Sequence, residues 1–115
     1  MTRPASADEI GAVMDVLAGV TGARPITKAT LSVATGIPVR RVEATIEHVR
    51  RESFALVCSS SAGYWLPGSL EEADANIERR HARAVRQLTT VQGERTLIRR
   101  LREGVDLTLF GKAVA

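Results

Sequence analysis

The segment Gly36-Ile37-Pro38 constrains this chain more than any other feature. Gly36 suits the left-handed cap that ends a helix, and Pro38 suits the first turn of the next one. One helix must therefore stop and another begin almost at once. Upstream, Thr27 can cap a short helix from Lys28 to about Thr35, with Leu31 and Ala34 on its inward side. Downstream, Val39, Val42, Ile46 and Val49 recur at helical spacing, which predicts a third helix over about Pro38–Glu52 with one apolar stripe. An earlier helix, about Ala7–Ala18, follows from Ser6 and Glu9 at capping-box spacing and from the stripe Ile10, Val13, Met14 and Leu17.

A hairpin is expected after these helices. Arg24-Pro25-Ile26 is extended, because the residue before proline avoids helical angles. Phe54–Cys58 and Tyr64–Leu66 have strand character, and the small residues Ser59–Gly63 between them form a turn. The chain has 115 residues and only 3% aromatics, so its core must come from Val, Leu, Ile and Ala, which favours helices over a large sheet. Hydrophobic residues at 44% are enough to bury such a core.

The run Leu31–Val42, with its small-residue helix, Gly-apolar-Pro turn and early buried valine, resembles the helix-turn-helix of bacterial winged-helix regulators, including the N-terminal domain of IclR-type proteins. Tyr64-Trp65-Leu66-Pro67 after Gly63 is similar to their second wing strand. The resemblance spans about residues 8–67 and implies a mainly α winged helix-turn-helix domain over 7–67, of bacterial or phage type. Its implied activity is sequence-specific binding of duplex DNA by a small transcriptional regulator.

A helix lying in the major groove reads base edges near its N-terminus. Val39, Arg40, Arg41 and Ala44 are therefore expected at the bases. Thr27, Lys28 and Thr30 are expected on the phosphate backbone, with Ser59, Ser60 and Ser61 of the wing beside them. Against a uniformly basic surface stand Glu43 and Glu47, outward on the same helix, with Glu43 placed to pair with Arg40, and a wing tip lacking Lys or Arg. These favour a second reading, a winged-helix adaptor for protein assembly or a phage or replication accessory protein that regulates no promoter. Arg50 and Arg51 complement the dipole at the helix end.

Catalysis is not expected. No Gly-Lys-Ser/Thr phosphate loop occurs, His48 and His81 lack a second metal ligand at workable spacing, and Cys58 is the single cysteine. No cofactor is implied. A formal charge of +3 is a weak pointer to a polyanion. With no segment near the roughly 18 apolar residues of a membrane span, a cytoplasmic protein is expected.

From Ser69 on, the sequence predicts a long helix with acidic residues Glu71 and Glu72 in its first turn, weakened at Gly93 and resuming to Arg102. Leu70, Ile77, Ala84, Val91 and Ile98 recur every seven residues, with Leu88 on the neighbouring seam and Val85, Leu97 and Leu101 widening the stripe. Such a half-apolar heptad pattern predicts that residues 69–115 form a homodimerising extension; the alternative is a fold-back at Gly93 onto the first helix. Val105–Phe110 alternates like a short strand.

Overall fold

The computed structural model describes residues 3–104. They form a mainly α structure, α1 (Ala7–Leu17), α2 (Lys28–Thr35), α3 (Val39–Arg51), β1 (Cys58–Ser60), β2 (Gly63–Trp65) and α4 (Leu70–Arg102). The predicted strand at Val105–Phe110 lies outside the described residues.

Local signals set the helix ends. Ser6 Oγ accepts the Glu9 N–H at 3.1 Å and Glu9 Oε1 accepts the Ser6 N–H at 3.0 Å, completing the capping box of α1. Thr27 Oγ1 accepts the Thr30 N–H at 3.1 Å, and Gly36 closes α2 at φ 73°. Pro38 is the N-cap of α3, its carbonyl accepting from Arg41 and Val42. The Ser32 hydroxyl donates to the Ile37 carbonyl, tying the end of α2 to the turn that follows.

An eight-residue helix such as α2 is marginal alone. Packing holds it: Leu31 is fully buried with Val13, Leu17, Val42, Ile46, Val49 and Val57. Each such side chain contributes about 1.5–3 kcal/mol relative to exposure. Ala34, expected inward, is exposed, and so is Val33. A helix this short has only Leu31 over the core, and its other apolar side chains fall away from it. Val39 is half-buried at the start of α3, whereas Thr45 takes a fully buried place in the stripe, its hydroxyl donating to the Arg41 carbonyl at 2.7 Å.

The hairpin is displaced from its predicted position. β1 begins at Cys58 rather than Phe54, and Ser59 and Ser60 belong to the strand, leaving Ser61-Ala62 as the turn. Ser53 at φ 60° reverses the chain after α3, and the Phe54 N–H donates back to the Val49 carbonyl. Phe54 is thereby turned outward, 62% exposed; Ala55 packs half-buried against the core, and full burial resumes at Val57. The antiparallel register pairs Cys58 with Trp65, Ser59 with Tyr64 and Ser60 with Gly63. Ile26 pairs with Tyr64 on the free edge of β2 through bonds of 2.9 and 2.8 Å, as its extended conformation requires.

Two compact units emerge, the first ending at Ile77 and the second beginning at Glu78. The first thus extends past Pro67. Glu72 accepts the Trp65 indole N–H at 2.7 Å, Ala73 is buried, and Asn76 is 1% exposed. In the second unit α4 continues through Gly93 without a break, so the helix neither stops and resumes at this glycine nor folds back there, the alternative to the dimer. A helical glycine costs only about 1 kcal/mol relative to alanine, which the flanking turns offset. No helix among the described residues is long and apolar enough to cross a membrane.

Candidate functional site

A cleft of about 350 Å³ opens between the start of α2 and the hairpin. It is lined by Thr27, Lys28, Arg50, Ser59, Ser60, Ser61, Gly63 and Tyr64. Five residues predicted at the phosphate backbone, distant in sequence, thus share one surface. Thr30 sits one turn along α2, its hydroxyl accepting from that of Thr27 at 2.9 Å. The Lys28 ammonium is 3.7 Å from a Glu43 carboxylate oxygen.

Each part of the cleft is fixed by its surroundings. Arg50, half-buried at the end of α3, donates from Nε and Nη2 to the Val57 carbonyl at 3.0 and 2.8 Å and from Nη2 to Ser59 Oγ at 2.8 Å. Its guanidinium lies 5.9 Å from the centre of the Tyr64 ring. Arg50 therefore joins α3 to β1 as well as lying near the helix C-terminus. Asn76 holds the same strand from the other direction: its amide donates to the Ser59 carbonyl at 2.8 Å and accepts the Ser59 N–H at 3.2 Å. Gly63 is required by the close approach of Ile26, since a Cβ built at its φ of 132° would stand 2.3 Å from the Ile26 carbonyl oxygen.

Sequence reasoning missed Arg50, Tyr64 and Asn76 as shapers of this cleft. Arg50 lies four residues beyond buried Ile46, on the border of the apolar stripe, and that position was the available signal. Asn76 lies three residues beyond Ala73, so the two form a short inward face that a search for large apolar residues passes over.

At 100° per residue, α3 presents Arg40, Ala44, Glu47 and Arg51 along the ridge opposite its buried stripe. Arg40 is exposed and has no hydrogen-bond or ion-pair partner among the described residues. The pairing of Arg40 with Glu43 does not form; Glu43 faces Lys28 instead. Arg51 pairs with Glu47 at 3.7 Å. Both ion pairs are solvent-exposed and contribute roughly 0–1 kcal/mol.

Arg41 does not share the outward position of Arg40. One helical step rotates it toward α1, where Nε and Nη2 grip the two Glu9 carboxylate oxygens at 2.9 and 2.8 Å. Nη1 donates to the Arg3 carbonyl at 2.9 Å and Nη2 to that of Pro4 at 3.1 Å. Its side chain is 12% exposed, as is that of Glu9. The Arg41 hydrogen bonds and the Ser6 N–H hold the Glu9 carboxyl down at about 2, against burial, and the same contact raises the Arg41 pKa. The fork geometry of arginine is thus engaged within the fold, which corrects the expectation that Arg41 faces outward beside Arg40.

A second groove, of about 440 Å³, runs beside the outer part of α3, between Ala44, Glu47, His48, Arg51 and Glu52 on the helix and Arg3, Pro4 and Ala5 of the N-terminal segment. The His48 ring meets Phe54 edge-on at 5.8 Å. No group of His, Cys, Asp or Glu among the described residues could hold a metal ion, and Cys58 is buried.

Leu70 and Ile77, predicted at a dimer seam, are 75% and 41% exposed in the first unit. In the second, Leu88, Val91 and Ile98 are 56%, 40% and 49% exposed, with Ala84 exposed ahead of them and Val85 at 48%. Compared with protein-family models, with curated proteins and with solved structures, the chain matches none.

Proposed function

We propose that residues 7–77 are a winged helix-turn-helix that binds duplex DNA, with α3 as the reading helix and the β1–β2 hairpin as the wing. The observation that carries this reading is the ridge of α3, opened by the unpaired Arg40 and bordered by a cleft that gathers Thr27, Lys28 and the hairpin serines. A helix fits the major groove, where an arginine at its first turn can donate two hydrogen bonds to guanine O6 and N7. Ala44 and Val39, small and half-buried, allow the helix to approach the base edges closely. Thr27, Lys28, Thr30 and Ser59–Ser61 offer hydroxyls and a cation to the bordering phosphates, aided by the free N–H groups at the start of α2. Arg41 acts through the fold, by holding α3 against α1.

The exposed stripe of α4 supports a homodimer, which would place two copies of α3 on half-sites about one DNA turn apart. In that form the protein is a small transcriptional regulator. A protein-binding adaptor is the second reading, favoured by Glu43 and Glu47, whose pairing with Lys28 and Arg51 alternates the charge along α3.

The test is fluorescence anisotropy with random duplex DNA at several salt concentrations, followed by site selection and the Arg40→Ala variant. Binding should weaken steeply with salt. Arg40→Ala should cost about 1–3 kcal/mol on the selected site and relax the preference at one base pair. Absence of binding at low salt would exclude the DNA reading and leave the adaptor.

A further inference from the structure

A helix lying in the major groove has a phosphate wall along each side, so backbone contacts on both of its flanks would fix its register. The flanks of α3 follow from helical phase. Glu43 and Arg50 mark one flank, and their contacts with Lys28 and Ser59 put the α2–hairpin cleft there. Arg41 and His48 mark the opposite flank. Neither α2 nor the hairpin lines that side among the described residues; what lies there is the start of α1, with Glu9 on Arg41, Phe54 beside His48, and the N-terminal segment.

This segment is fixed in place rather than merely adjacent. Arg41 donates to the carbonyls of both Arg3 and Pro4 while gripping Glu9, so the backbone that carries Arg3 is anchored to the middle of the fold. Arg3, Pro4 and Ala5 form one bank of the groove whose other bank is Ala44, Glu47, His48, Arg51 and Glu52. The Arg3 side chain itself is loosely held. It is 65% exposed, and its one ion pair among the described residues is a 3.4 Å contact with a Glu9 oxygen that already accepts from Arg41 at 2.8 Å and from the Ser6 N–H at 3.0 Å. A guanidinium so placed, on an anchored backbone beside the reading helix, can turn to a phosphate at little cost. The carboxylates on that bank do not oppose it equally, since Glu47 is already paired with Arg51.

We infer that Arg3, held in register by the Arg41 fork, is a DNA-backbone contact on the flank of α3 opposite the hairpin, so that the N-terminal segment and the α2–hairpin cleft clamp the two phosphate walls of one major groove. This rests on the DNA-binding reading above and adds to it a second contact element that neither the helix-turn-helix nor the wing contains.

The experiment measures the affinity of the full chain for one duplex as a function of salt, for the unaltered protein, Arg3→Ala and Arg79→Ala. Arg79 is exposed on α4, so its loss removes the same charge from a place with no assigned contact. Loss of a phosphate contact should make the slope of log K against log salt shallower by about 0.9 per bound protomer for Arg3→Ala. Its affinity should fall several-fold at moderate salt, with Arg79→Ala unchanged. A slope for Arg3→Ala equal to that of Arg79→Ala, in a protein that binds, would overturn the Arg3 contact and leave the reading helix intact. Failure of the unaltered protein to bind would instead overturn the DNA reading itself, and the Arg3 contact with it.

Discussion

Glu9 performs two tasks with one carboxylate. It closes the capping box of α1 and receives the Arg41 fork from α3, so the start of one helix is bonded to the first turn of another. Its carboxyl is held at about 2 in the folded protein, below its ordinary value of 4.5. A depressed carboxylate stabilises the fold fully above its unfolded value and loses that contribution as pH falls toward the folded one. Glu9→Gln preserves the capping box, since glutamine serves there too, but removes the charge and one of the two oxygens that accept from Arg41. The variant should be less stable by about 2 kcal/mol near neutral pH, the scale of hydrogen bonds to a charged group. That deficit should shrink as pH falls from about 4.5 toward 2. Urea unfolding of both proteins across this window checks the prediction, and a deficit independent of pH would count against the ion pair as its source.

Among the elements, the hairpin and α4 show how context overrides local preference. Phe54 and Leu56 have good strand residues around them, yet they are exposed, because a strand forms only where a partner can pair with it. β2 supplies that partner from Cys58 onward, and Ile26 and Gly63 set its position from the other edge. Gly93 gives the opposite lesson, since a glycine that predicted a break lies inside a continuous helix. A Cβ built at Gly93 meets nothing within 4 Å. Gly93→Ala should therefore raise the stability of α4 by about 0.8–1 kcal/mol, by removing backbone freedom from the unfolded chain. Circular dichroism at 222 nm during thermal unfolding should show the increase, whereas a lower midpoint would mean that α4 requires a bend at this position.

For the whole molecule, the boundary at Ile77 matters to any experiment that divides the chain. Truncation at Gly68 would remove Glu72, Ala73 and Asn76, and with them the partner of the Trp65 indole and the amide that holds Ser59. Oligomeric state is better tested by substitution in the second unit. Leu88 and Val91 stand on the exposed stripe of α4, and replacing both with Glu puts charges at the proposed seam. The double variant should sediment as a monomer at concentrations where the unaltered protein is a dimer, with the first unit still folded. A dimer mass unchanged by both substitutions would place the interface elsewhere.

Much of this protein was legible in residue order, for a physical reason. Helix ends depend on neighbours a few residues apart, so Ser6, Thr27, Gly36 and Pro38 declared α1, α2 and α3, and the stripe of α3 identified Val42, Ile46 and Val49 as core. Thr27, Lys28 and the three serines were also legible as candidates, through the order of helices and hairpin. Helical phase separates Arg40 from Arg41, but tertiary structure alone decided that one of them is engaged within the fold. Arg40 and Arg41 are adjacent and chemically identical, and the position of Glu9, brought beside α3 by the packing of α1, engages the flanking one and leaves the other free. The same holds for Arg50, Asn76 and the register of the hairpin. Each depends on partners distant in the chain, whose positions are set by burial of the whole core and not by any local preference.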